Sequence, residues 1–309
     1  MRRSLALAFA ITLTGFAGVA LADDKDKEAQ EAVSAFKKAY ASKDESARES
    51  AVEALASVQS HRVVDALADP LLHDKESSVR RAAAKVIGGE WDKSACSVLM
   101  RALNPDDPAK DVVTAIINAL GQTENEQAVP LLVSLLEPKR KGQQDTPAFT
   151  APALEALKKI GSAKATDDLI TFLNRESAGN RSGGRRGGGS NSGGGQNSDP
   201  FSKDAEAAIR YITGQQFSSA ADWRKWWNEN QSTLKLIPVY RSAATGEKID
   251  KTDSKVKIPS DAYLLKTRFD GGDQGNPDGA NHDEPKHKSR NNNNNNGGNN
   301  NGGGNNNSN

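Results

Sequence analysis

The chain carries four histidines, His61, His73, His282 and His287, and a single cysteine, Cys96. Imidazole beside carboxylate is how many divalent-metal sites begin, and His282-Asp283-Glu284-Pro285-Lys286-His287 brings both groups into one short run. That run lies in a polar tail with nothing apolar to fold against, where ordering the ligands would cost chain entropy. It reads as a solvated segment. His61 and His73 stand at opposite ends of one expected helix, too far apart to share an ion. A lone cysteine excludes an internal disulfide and any cysteine-cluster metal site. Cys96 aligns with the small helix positions Val64, Val129 and Thr166, which argues for packing rather than thiolate chemistry. Gly183–Gly195 is glycine-rich but lacks the strand–glycine–helix setting of a phosphate cradle. Arg181, Arg185 and Arg186 are interleaved with glycine, a pattern that can place guanidinium groups on phosphates and bases. Three arginines make a small patch, and a flexible insertion is the simpler reading. Lys139-Arg140-Lys141 reads as a solvated loop. No nucleophile has a base beside it. No catalytic, cofactor-binding or metal-binding residue is assigned, and the chain is not expected to be an enzyme.

What the sequence positions, it positions by repetition. Val79-Arg80-Arg81-Ala82-Ala83-Ala84-Lys85-Val86-Ile87-Gly88 aligns with Ala47–Ala56, with Val112–Gly121 and with Pro152–Gly161. The polar insertion Pro138–Asp145 lengthens the last interval. Each segment has apolar or small residues at helical spacing and ends on glycine or a polar turn, so each predicts a helix. A second helix follows every time, over Arg62–Leu71, Ser94–Leu103, Gln127–Leu136 and Lys164–Leu173. Their core columns are Val63, Ala95, Ala128 and Ala165; Leu67, Leu99, Leu132 and Leu169; and Leu71, Leu103, Leu136 and Leu173. One such pair has too little apolar surface to fold alone, so the pairs must stack.

The segments Val79–Gly88 and Gln127–Leu136 resemble the two helices of a HEAT repeat, in its short bacterial or phycobilisome-lyase-like form. The resemblance covers about residues 44–174, with departures at Val113, where the first-helix arginine is missing, and at Pro152. It implies an all-α fold, a right-handed α-α solenoid. Families with this repeat are mostly scaffolds and adaptors, and a few are bilin lyases.

Around that array the sequence predicts a helix over 23–43 that caps its start, with Val33, Phe36 and Tyr40 on one face. Residues 175–200 are expected to be a disordered Gly/Ser/Arg-rich insertion, and 201–233 a fifth helix pair. Its last helix presents Trp223, Trp226 and Trp227 at i, i+3 and i+4. Such a stripe is either an open platform for glycan or protein or a seal on the end of the stack, and the seal is favoured. Residues 234–270 have short apolar runs without an assignable structure, and 271–309 are an Asn/Gly-rich tail expected to be disordered.

Residues 1–22 read as a cleaved signal peptide: Arg2 and Arg3, an uncharged stretch, then Ala20-Leu21-Ala22 before Asp23. The expected location is therefore exported, in the periplasm, the cell envelope or outside the cell, with no membrane span after cleavage. The chain has 41 basic and 40 acidic residues; removing Arg2 and Arg3 leaves 39 against 40. A near-neutral protein has no global field to gather nucleic acid, and none is expected as a partner. The favoured function is a non-catalytic protein-binding scaffold or adaptor with an unidentified protein partner. The exposed columns of the second helices, Asp65, Ser97, Pro130, Asp167 and Asp69, Arg101, Ser134, Thr171, would form its surface. Two other readings remain. A bilin-lyase-like enzyme or enzyme partner needs a reactive cluster on one face. A structural envelope protein would assemble through its Asn/Gly tail.

Overall fold

The computed structural model describes residues 20–137, 147–182 and 200–270. The expected signal segment up to residue 19, the loop 138–146, most of the Gly/Ser/Arg insertion and the Asn/Gly tail lie outside the described residues. Helix α1 (Ala20–Tyr40) leads into five helix pairs. They are α2 (Glu45–Glu53) with α3 (His61–His73), α4 (Ser77–Gly88) with α5 (Lys93–Ala102), and α6 (Lys110–Thr123) with α7 (Val129–Ser134). Then come α8 (Thr150–Ile160) with α9 (Thr166–Ser182), and α10 (Pro200–Thr213) with α11 (Ala220–Asn230). The second helices start where a short polar side chain satisfies a free backbone donor. Ser60, Asp92, Asn125, Ser162 and Ser219 each accept from a backbone N–H two or three residues on.

All twelve residues of the three expected core columns are buried, with Leu103 the most exposed at 9%. Together with the first helices they form one continuous apolar core. The fold is therefore the α-solenoid that the pattern requires. The glycines that close the repeats do more than stop helices. A Cβ on Gly88 would lie 2.7 Å from Cβ of Ala119, and one on Gly121 would lie 2.9 Å from Cα of Ala156. Gly121 lies within α6, and the residue after that helix, Glu124, takes the left-handed conformation at φ 54°. The first two glycines thus let successive first helices approach closely.

Two findings go beyond the sequence. Helix α9 runs to Ser182, so residues 175–182, expected in the disordered insertion, are helical. Arg175 contributes there by lying 5.1 Å from the Phe172 ring centroid and donating to the Leu136 carbonyl. Residues 234–270 form a three-stranded antiparallel sheet of β1 (Leu236–Ser242), β2 (Lys248–Asp250) and β3 (Ala262–Phe269), in the order β2-β1-β3. The pairing slips between Val239, opposite Lys266, and Tyr240, opposite Leu264. This bulge breaks the two-residue alternation, so that the adjacent Leu265 and Lys266 are both buried.

The sheet runs along the edge where the two helices of each pair turn into one another. Tyr263 donates to the Trp91 carbonyl at 2.8 Å, at the α4–α5 turn. Lys248, Lys266 and Arg241 converge on Glu124 after α6, at 2.5–3.4 Å. Thr267 donates from both its N–H and its hydroxyl to Glu126, which also accepts from Ser162 at the α8–α9 turn. Phe269 meets Trp227 edge-on at 6.0 Å. A strap thus joins four consecutive pairs. Burial pulls the Lys266 ammonium below its usual range. Burial alone would push Glu124 up, but the bond from Lys248 and the charges of Lys266 and Arg241 hold it below the carboxylate range. Glu124 is the ionised centre of the cluster.

Candidate functional site

The seven candidate partner-binding residues, Asp65, Asp69, Ser97, Arg101, Ser134, Asp167 and Thr171, are all exposed, but they are not equivalent. Asp167 and Thr171 accept from Arg224 of α11 at 2.6 Å each, so the fifth pair uses them to dock. Asp69 pairs with His73 one turn on, and Ser134 donates to the Leu131 carbonyl. Asp65, Ser97 and Arg101 make no hydrogen bond or ion pair among the described residues. Asp65 and Asp69 line a groove of about 680 Å³ between α1 and α3, with Tyr40 and Arg62 on its walls. The structure therefore gathers two of the seven into a concavity and leaves the others spread along the array.

A second concavity, at the turns between helices, was not read from the sequence. A cavity of about 750 Å³ opens between α1, the turns 57–61 and 90–92, and the β1–β2 hairpin at 243–245. Glu90 lines it and is only 2% exposed. Its Oε2 accepts the Ser60 N–H at 3.0 Å, whereas Oε1 has no partner. Trp91 lines the same cavity and is 37% exposed, among the largest exposed apolar side chains of the described residues. Its backbone N–H donates to Gln59, its backbone carbonyl accepts from Tyr263, and its ring lies against Gly246. A Cβ on Gly246 would come 2.4 Å from the indole, so only glycine fits beneath it. A lone Trp in an otherwise polar turn, preceded by a carboxylate, was the signal available in the sequence. Its meaning depends on a hairpin more than 150 residues away.

Burial pushes the Glu90 carboxyl up to about 7, against the Ser60 bond and helped by the charge of Asp92. The folded pKa lies above the ordinary 4.5, so the stability this group contributes is complete below about pH 4.5 and lost as pH rises to about 7. Glu90→Gln is expected to match the parent at pH 4.5 and to exceed it at pH 8 by about 1–3 kcal/mol. Urea unfolding at the two pH values measures this, and an identical pH response in both chains would assign the effect elsewhere. Cys96 is buried, with its thiol pushed up by burial to about 11. Among the described residues no group of three His, Cys, Asp or Glu is placed to hold a metal, and no helix is long and apolar enough to cross a membrane.

Paired helices stacked through one core, with short turns aligned along an edge, define an α-solenoid of the repeat class. A family described as HEAT repeats matches residues 13–88 and 70–145. Over those residues the chain carries HEAT repeats. The match ends before α8, so the fourth and fifth pairs extend the array on structural grounds. No curated protein matches the sequence. Among solved structures, the complex of CpcE and CpcF of phycocyanin lyase from Nostoc sp. PCC7120 is similar in fold. It shares 19% identity and a TM-score of 0.43 over 74% of each chain.

Proposed function

We propose that the protein is a non-catalytic scaffold of the periplasm or cell envelope that binds another protein through the second-helix face of its repeats. One observation carries this reading. The stack satisfies its packing with the buried columns, while Asp65, Ser97 and Arg101 stay exposed and unclaimed between them. A surface already rigid before binding loses little entropy when an extended partner docks.

The test is charge reversal at Asp65→Lys and Arg101→Glu in one chain. Stability should change by no more than about 0.5 kcal/mol, as for other exposed substitutions. Capture of the partner from envelope extracts should weaken, and salt should shrink the difference by screening exposed charges. Capture that survives the reversals but disappears on deleting 271–309 would move function to the tail. Turnover dependent on Cys96 or a histidine would make the protein an enzyme. The location rests on the tripartite N-terminus, and an intact mass beginning at Asp23 supports export.

A further inference from the structure

We propose that the cavity lined by Glu90 and Trp91 receives an arginine side chain of the partner protein, its guanidinium bound by the Glu90 carboxylate against the Trp91 indole. This deepens the scaffold reading and rests on it, but it uses the turn edge of the array rather than the second-helix face.

The buried carboxylate is the first ground. A carboxylate oxygen kept from water without a donor is costly to the fold, and the Ser60 N–H uses only the other oxygen of Glu90. A ligand that donates hydrogen bonds removes that cost. Glu90 lines a cavity large enough for a side chain, and only one of its two oxygens has a partner. The aromatic wall is the second. Indole attracts cations over its face, and guanidinium, planar and weakly hydrated, stacks there better than ammonium. The Trp91 backbone is held by Gln59 and Tyr263, and its indole lies against Gly246.

Charge is the third ground. The other charged or titratable groups lining the cavity are Lys25, Asp26 and Glu28 of α1, His61 of α3, and Asp92. Asp26 is taken by Arg62 at 2.7 and 3.0 Å. Glu28 and Asp92 remain against Lys25, so with Glu90 ionised the lining favours a cation. The raised Glu90 then acts as a gate. Neutral Glu90 attracts a guanidinium weakly, and an arriving cation draws it into its charged form.

The experiment titrates the full chain with the blocked tripeptide acetyl-Ala-Arg-Ala-amide at low salt, followed by calorimetry. Controls are acetyl-Ala-Gln-Ala-amide and agmatine, a free guanidinium amine. The arginine peptide should bind and the glutamine peptide should not. Affinity should rise about tenfold or more between pH 5 and pH 8. Glu90→Gln should lose binding about tenfold or more at pH 8; that chain keeps every other charged group of the lining. Trp91→Ala should weaken binding with Glu90 intact, so the test does not hang on one variant. Equal binding of both peptides, no binding of either, or an unaltered affinity in Glu90→Gln would overturn the proposal. Agmatine binding as tightly as the peptide would overturn the partner assignment and leave a small-amine site. The reversals at Asp65 and Arg101 should not affect the peptide, so failure here and failure of the scaffold reading are told apart.

Discussion

Replacing Trp223 by Ala is expected to cost about 3–5 kcal/mol, the range for emptying a large aromatic site in a packed interior. Trp223 is 1% exposed and lies 4.8 Å from Phe217 and 6.1 Å from Trp226, both edge-on. Its helix packs on α9, the last helix of the fourth pair, so the lost volume opens the end of the stack. A terminal repeat has a neighbour on one side only, and the damage cannot be shared. The indole N–H is buried without an acceptor. Trp223→Phe therefore sacrifices no hydrogen bond and should cost about 1–2 kcal/mol. Trp226, half-buried, should tolerate Ala better than Trp223. Urea unfolding followed by far-ultraviolet circular dichroism ranks the three. A Trp226→Ala penalty equal to that of Trp223→Ala would contradict the packing described.

Glu124→Gln is expected to cost a similar amount, about 3–5 kcal/mol, because it takes the half-buried anion away from two buried cations. Lys266 and Arg241 are 4% and 6% exposed and would keep their charges with no anion between them. Backbone strain cannot account for the loss. Glu124 is left-handed at φ 54°, which costs a non-glycine residue about 1–2 kcal/mol. Glu124→Gly would relieve that strain and still come out destabilised, since the missing carboxylate weighs more. The double variant Glu124→Gln with Lys266→Met should recover at least about 1 kcal/mol relative to Glu124→Gln alone, as apolar replacement of a whole buried pair often does. Proteolysis provides a local readout, with cleavage in 234–270 appearing in Glu124→Gln and receding in the double variant. The ionised Glu124 contributes its stability above its ordinary pKa of 4.5, and this is lost as the pH falls below that value. An additive double variant would show that the cluster does not hold the sheet.

The repeat array was legible because its determinants are local. Leu67 with Leu71, Leu99 with Leu103, and Leu132 with Leu136 stand at helical spacing, and each helix carries its own signal. The glycines were only half legible. Gly88 and Gly121 mark repeat ends in the sequence, but their use in close helix approach involves Ala119 and Ala156 of the next repeat. The sheet was not legible. Its runs, such as Leu234-Lys235-Leu236-Ile237, are short, and the bulge at Leu265 breaks the alternation that identifies a strand. Of the surface residues, exposure followed from the column they occupy. The docking of Arg224 onto Asp167 and Thr171 did not, since it joins residues more than 50 apart.

The strap also bears on how the molecule can be made. A bare solenoid couples each repeat to its neighbours alone, so it can form pair by pair as the chain lengthens. The strap is the last described segment of the chain and closes loops back to Trp91, Glu124 and Glu126, spanning 172, 117 and 141 residues. Such distant closures come slowly, after local contacts have formed. The helix pairs must therefore hold their relative spacing before the strands arrive, and the strands lock only onto turns already in register. Once locked, the ends of four pairs are tied to one ribbon, and the spring-like bending open to an untied solenoid is restrained along that edge.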